Sequence, residues 1–266
     1  MSKNLIIIVL YNKTPDESKT INSFIANNVF NKNNFKVVIW FNGNTNEDVI
    51  VKNATIISTK KNENLSYIYN TVIEKFPNFD TYTIFDDDSN VSSEYLDSII
   101  HIKCDILVPE VFQNEQKLYP ISLDSSKILN KDESINLKTI SSGLTISRSL
   151  IKKIKERHSD IFDSRFSFYG VDFSFFYRLA QLNDPTLTIV QEGKIIHSLS
   201  RMEGGYKINS FRWQQKVFEN ILMRRNYPVY NSKLLFPKII LKCIFSFNIR
   251  FIIKAVKVFI YNRSTM

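Results

Sequence analysis

Residues 81 to 90, TYTIFDDDSN, place three consecutive aspartates, Asp86, Asp87 and Asp88, directly after a β-branched and aromatic run. Adjacent like charges repel, and a fold has no structural need for three of them. Two readings suit the pattern. One is a solvated, Asp-rich turn. The other is a divalent-cation site, because Mg2+ and Mn2+ favour one or two carboxylates completed by phosphate oxygens of a substrate. His197 closes KIIHSLSR, an apolar strand ending in a polar turn. A lone histidine there is either a structural group or a neutral imidazole available to a metal.

The elements that would position these groups follow from apolar runs and their punctuation. LIIIVL (5–10), FKVVIWF (35–41), ATIIS (54–58) and YTIF (82–85) read as four short strands. Between and after them, 17–30, 64–76 and 92–101 read as helices, the first with Ile21, Phe24 and Ile25 inward. Strands alternating with helices predict an α/β fold on a mostly parallel sheet. Ligands of such sheets bind at the C-terminal strand ends. Tyr11-Asn12, Asn42-Gly43 and the aspartates all fall there. The stretch 113–139 reads as a hairpin or irregular insertion.

The bulk numbers fit a globular chain. It has 266 residues, 44% hydrophobic and 23% charged, which argues against wholesale disorder. Cys104 and Cys243 are too few and too distant for a disulfide framework and suit a reducing compartment. The opening MSKNLIIIVLY reads as a buried strand, its apolar run being short for a signal-peptide core. Of the net charge of +9, 7 units fall between Lys233 and the end, where no acidic residue occurs. Basic character confined to a tail argues against nucleic acid as a partner.

That tail is apolar but interrupted. Its longest charge-free run after Pro237 is residues 243 to 249, well short of the ~18 needed to span a bilayer. Lys238, Lys242, Arg250, Lys254 and Lys257 share one helical face, with Ile, Leu and Phe opposite. Two placements follow: a helix lying in an anionic membrane interface over 233–261, or one packed on the body with a solvated lysine face.

The ordered blocks IIIVLYNKTP, VVIWFNGNTNE, KKNENLSYIYN, TIFDDDS, SSGLTISRSLIKKI, FDSRFSFYGVDFSFFYRL and IIHSLSR resemble those of inverting family 2 glycosyltransferases. Among these they are most similar to the rhamnosyltransferase-like bacterial branch that builds surface polysaccharide. The resemblance covers about residues 4–226 and rests on seven blocks in order, none of them specific alone. It implies a GT-A catalytic domain (1–215) and a helical C-terminal extension (216–266). It further implies a nucleotide-diphosphate sugar as donor, UDP-linked in preference to dTDP-linked, with Mn2+ or Mg2+. The implied acceptor is a hydroxyl of a lipid-linked or surface glycan, and the implied location is cytoplasmic, peripheral at the inner face of the cell membrane.

The family's DXD positions fall on Asp86 and Asp88, with His197 as third metal ligand and Asp87 as the variable middle residue. Asp172 falls on the catalytic base; read without the family, it is a helix N-cap. Tyr11, Asn12 and Asn42 fall on base and ribose contacts. Ser142 and Gly143 fall near the acceptor and diphosphate, and Arg201 is placed to hold the diphosphate. Tyr206 and Trp213 are candidates for a sugar platform, at least one of them serving as core. Two positions depart from the pattern: Phe41 replaces an aspartate, removing a contact to the nucleotide base, and Asn64 replaces a glycine. Arg178 reads as an internal salt-bridge partner. The readings outside this family are an Asp-dependent phosphotransferase or phosphatase, which expects its aspartates on the first strand, and a non-enzymatic membrane-surface module.

Overall fold

The computed structural model describes residues 3–43, 50–125, 127–130, 136–198, 210–227, 241 and 249–264. The apolar run near the start becomes β1 (Asn4–Tyr11), buried along all but its last residue. A strand with no solvent-facing side must be central, and β1 lies between β2 (Phe35–Asn42) and β4 (Thr81–Asp86), parallel to both. β3 (Ala54–Thr59) adds in parallel outside β2. The register matters for function. Val9 lies opposite Asp86 and Tyr11 opposite Asn42, so three strands deliver Tyr11, Asn42 and Asp86 to one edge.

The other half of the sheet is mixed. β10 (Thr145–Ser147) runs antiparallel to both β4 and β6 (Ile106–Gln113). β11 (Ile189–His197) is parallel to β6, and β5 (Ser89–Val91) closes the order antiparallel to β11. The order is therefore β3-β2-β1-β4-β10-β6-β11-β5. The expected insertion at 113–139 contains β7 (Gln116–Tyr119), hairpinned to β6, and a small pair, β8 (Ile121–Ser122) with β9 (Leu137–Lys138).

The helices form close to where the periodicity places them. α1 (Lys19–Ala26) starts at Ser18, whose hydroxyl accepts the Ile21 N–H, and it buries Ile21 and Phe24. Ile25, expected inward, is exposed, because the helix is shorter than 17–30 and only one stripe meets the sheet. α2 (Leu65–Lys75) and α3 (Ser93–His101) cover the sheet in turn. α4 (Arg148–Arg157) and α5 (Val171–Leu182) follow β10, and α6 (Phe211–Asn226) and α7 (Ile249–Tyr261) close the described chain. α6 runs unbroken through 215/216, so the expected domain boundary falls inside a helix.

A buried ionic brace fixes α5 against α6. Asp163, 1% exposed, accepts from Arg165 Nε at 2.8 Å and from the Tyr227 hydroxyl at 2.6 Å. Arg178 donates to Asp160 at 2.7 Å and lies 3.3 Å from Asp163, the internal salt-bridge role expected of it. Two carboxylates facing two guanidinium groups leave no net charge to bury.

Candidate active site

Asp86 ends β4, Asp87 and Asp88 form the turn to β5, and α1 holds that turn by its backbone. The Ser18 hydroxyl donates to the Asp87 carbonyl at 2.9 Å and Thr20 Oγ1 to the Asp86 carbonyl at 2.5 Å. Thr20 Oγ1 also accepts the Ser89 N–H at 3.0 Å. The side chains at the start of α1 thus hold the turn's backbone and leave the Asp86 and Asp88 carboxylates to face the crevice.

β5 then does what the sequence did not disclose. Its antiparallel register puts Ser89 opposite His197, so three residues of pairing bring the imidazole to the aspartates. His197 Nδ1 lies 3.1 Å from Asp88 Oδ1 and 2.9 Å from Ser89 Oγ, while Nε2 lies 3.9 Å from Asp86 Oδ2. A chain of polar groups holds this arrangement. The Asp86 N–H donates to Ser142 Oγ at 3.2 Å, Ser142 Oγ meets Ser89 Oγ at 2.6 Å, and Ser89 meets the imidazole. Ser142 and Ser89 are fully buried. Ser142 therefore supports the ligands from behind.

Asp86, Asp88 and His197 each offer a ligand atom, all within 4.8 Å of one another. The donor set fits a divalent cation on three counts. Asp88 Oδ1 is buried without hydrogen-bonding geometry to any partner. The 3.9 Å gap between Asp86 Oδ2 and His197 Nε2 is too long for a hydrogen bond, yet suits two donors about 2.1 Å from one ion. Carboxylates with a neutral imidazole form a donor set that Mn2+ accepts. Burial holds His197 down at about 4, helped by the Lys19 ammonium, so the ring is neutral at physiological pH. Burial first, then Asp88, Asp87 and Asp172, pushes the Asp86 carboxyl well above the usual carboxylate range. Asp88 is pushed up to about 6 by burial and by Asp87, with Lys13 and Lys19 opposing.

Asp87 turns from this cluster to the β1–α1 loop. It pairs with Lys13 Nζ at 2.6 Å and accepts the Tyr11 N–H at 3.4 Å. The middle aspartate thereby ties the β1–α1 loop to the turn that carries Asp88. Lys19, at the start of α1, donates to Ser198 at 2.9 Å and anchors the end of β11.

The expected residues converge unevenly on one crevice of about 410 Å3, bounded by Tyr11, Asn42, Asp86, Asp88, His197 and Asp172. Tyr11 is half exposed at its mouth. Asn12, with φ 49, packs its side chain against Gly43. Asn42 lines the crevice, but its amide is spent locally: it donates to Asn62 Oδ1 and the Glu63 carbonyl at 3.0 Å and accepts the Glu63 N–H at 2.7 Å. Phe41 is core. Asn64 is the N-cap of α2 with φ −64, a backbone that requires no glycine.

Gly143 has a structural reason of its own. Its φ is 85, and a Cβ there would meet Pro109 Cγ at 2.5 Å, so the close approach is to Pro109. Trp213 is core, its ring tilted against Phe251 with centroids 4.7 Å apart. Arg201 and Tyr206 lie outside the described residues. Asp172 stands in the first turn of α5, not at its N-cap, which is Gly170 with φ 84. Its Oδ1 accepts the Phe173 N–H at 2.8 Å.

Sequence reading missed the aromatic wall beside Asp172. Phe168 and Phe211 meet edge to face at 5.6 Å and line the crevice with Tyr169. The only signal was the aromatic density of FSFYGVDF. Glu219 of α6 was missed as well: buried at 1%, paired with Lys216, its Cγ lies 2.7 Å from where a Gly170 Cβ would stand.

Solved structures share this overall architecture. The chain has the GT-A fold. S. aureus TarS matches it with a TM-score of 0.51 over 85% of this chain, at 16% identity. TarS 1-349 in complex with UDP-GlcNAc matches with a TM-score of 0.55, also at 16% identity. GalNAc-T7 with UDP, GalNAc and Mn2+ matches with a TM-score of 0.54 over 88% of this chain, at 10% identity. The chain spans 40% of the TarS chain and 54% of the GalNAc-T7 chain. No family model matches the sequence, and no curated protein matches it.

Proposed function

We propose that the protein is a metal-dependent inverting glycosyltransferase that moves a sugar from a nucleotide-diphosphate donor to an acceptor hydroxyl. One observation carries the reading: Asp86, Asp88 and His197 gather within 4.8 Å at the strand ends of a GT-A sheet, and Asp172 lines the same crevice. UDP-sugars are the favoured donors, since the solved neighbours include complexes with UDP, UDP-GlcNAc and, in one, Mn2+.

In this reading Tyr11 flanks the nucleotide, and Asp86, Asp88 and His197 hold the cation. Bound there, a divalent ion supplies positive charge beside the departing diphosphate. The acceptor oxygen attacks the anomeric carbon from the side opposite the diphosphate. Its proton passes to the Asp172 carboxylate as the carbon–oxygen bond to the diphosphate breaks. The wall of Phe168, Tyr169 and Phe211 gives the sugar rings an apolar surface.

The narrower reading is a bacterial family 2 enzyme of the rhamnosyltransferase-like branch, working on a lipid-linked or surface glycan in polysaccharide biosynthesis. We place it at the cytoplasmic face of the membrane, with residues 1–215 as catalytic domain, 216–266 as extension and α6 bridging them. Among the described residues no helix is long and apolar enough to cross a membrane. The test is Asp172→Asn. It should abolish transfer to acceptor while calorimetry with UDP and Mn2+ shows donor-site binding intact. Full transfer by that variant rejects the base assignment, and UDP binding that ignores Mn2+ rejects the metal site.

A further inference from the structure

α7 packs on α6 through Phe251, Ala255 and Val258, with Phe251 tilted against Trp213 and stacked on Phe218. A helix seated on one stripe ordinarily turns its polar stripe outward. Here the outward stripe is apolar. Ile249, Ile253, Val256 and Ile260, at i, i+4, i+7 and i+11, are between 50% and 73% exposed. The basic residues Arg250, Lys254 and Lys257 are exposed along one flank. On the other flank, Arg225 of α6 lies over the half-exposed Phe259 ring at 5.3 Å. The lysine face expected opposite a single apolar face is therefore a border, and the helix has two apolar faces.

We infer that the Ile249–Ile253–Val256–Ile260 stripe is the surface that seats the protein in an anionic membrane interface. Charge decides the occupant. Arg250, Lys254 and Lys257 border the stripe on one side and Arg225 lies beside Phe259 on the other, and no Asp or Glu follows Glu219 in the sequence, which makes this surface the complement of an acidic lipid surface. A second copy of the helix is the competing occupant, because the spacing is that of a coiled-coil seam. Pairing two copies lines that seam with like charges on both sides and offers no carboxylate to either.

The orientation is also set. Phe251 lies by Trp213 near the start of α6, and Arg225 donates to the Ile260 carbonyl near its end, so the two helices run parallel. The stripe thus begins at the end of α6 whose Phe211 and Arg212 line the crevice. Lipid-linked substrate and helix approach the protein from the same end. This inference builds on the transferase reading by naming the surface at which the enzyme works, and it can fail separately.

The experiment is co-sedimentation of the full chain with phosphatidylcholine vesicles, with and without phosphatidylglycerol. UDP–Mn2+ binding is measured in parallel. The wild type should sediment with the anionic vesicles only. Ile253→Asp, and separately Lys254→Glu with Lys257→Glu, should weaken that binding by roughly tenfold or more and leave UDP–Mn2+ binding unchanged. These positions lie outside the core, and the wild-type comparison between vesicles requires no variant. Equal sedimentation with both vesicle types, or with neither, overturns the proposal. So does a stable dimer that Ile253→Asp dissociates while vesicle binding persists.

Discussion

Without a metal, the site works against the fold, and Asp88→Asn measures by how much. The Asp88 carboxyl is pushed from 3.8 to about 6. A folded-state pKa raised above the unfolded value means that folding takes up a proton between those values. The ionised carboxylate therefore destabilises the fold fully above about pH 6, and the penalty fades towards pH 4. At about 1.4 kcal/mol per unit, the cost at pH 7.5 is up to about 3 kcal/mol. The side chain is 26% exposed, so solvent screening makes this an upper bound. In a chain of this size each kcal/mol moves Tm by roughly 2–4 °C. Metal-free Asp88→Asn should therefore melt several degrees above the wild type at pH 7.5, and the gap should close as the pH falls from 6 to 4. Mn2+ at about a hundred times its Kd returns roughly 2.7 kcal/mol to the wild type and little to the variant, closing most or all of the gap. Thermal denaturation at two pH values, with and without Mn2+, reads all four cases. A metal-free variant that melts below the wild type at pH 7.5, or an equal Mn2+ shift in both proteins, refutes the reasoning.

Three further outcomes follow from the same geometry. Ser142→Ala cuts the link between the Asp86 N–H and the Ser89–His197 pair, and should weaken Mn2+ binding by about 10–100-fold in titration calorimetry, with a near-native circular dichroism spectrum. Asp163→Ala leaves Arg178 and the Tyr227 hydroxyl short of a buried acceptor, and should lower stability to denaturant by about 3–5 kcal/mol. Gly143→Ala meets both a φ of 85 and Pro109, and should cost about 1–3 kcal/mol by the same measurement, whatever ligand is present.

Much of the donor half was legible because it is local. A parallel sheet built from continuous apolar runs puts strand ends on one edge whatever the loops do, so Tyr11, Asn42 and Asp86 could be brought together from LIIIVL, FKVVIWF and YTIF. The other half was not legible for equally physical reasons. β10 and β5 are three residues each, too short for any periodicity, and their antiparallel sense depends on partners far along the chain. The motif order placed His197 in the site without saying what would carry it there. The motif order placed Ser142 in the site without disclosing that its hydroxyl meets the Asp86 N–H and Ser89. The tail's charges were legible; which apolar face would meet the body was not, since Phe251 and Ile253 differ only in what they touch.

The short strand β5 has a consequence for how the site comes into being. Ser89 and His197 are 108 positions apart, and their three-residue ladder forms only when the last strand docks. Loop closure over such a span is paid in chain entropy before any contact returns it, so this closure belongs late in folding. A nascent or truncated chain that ends before β11 carries the three aspartates without the imidazole. On the proposed metal site, Mn2+ binding is then a readout of chain completion: during refolding it should rise with the slowest phase, after the β1–β2–β4 half has already acquired its protection.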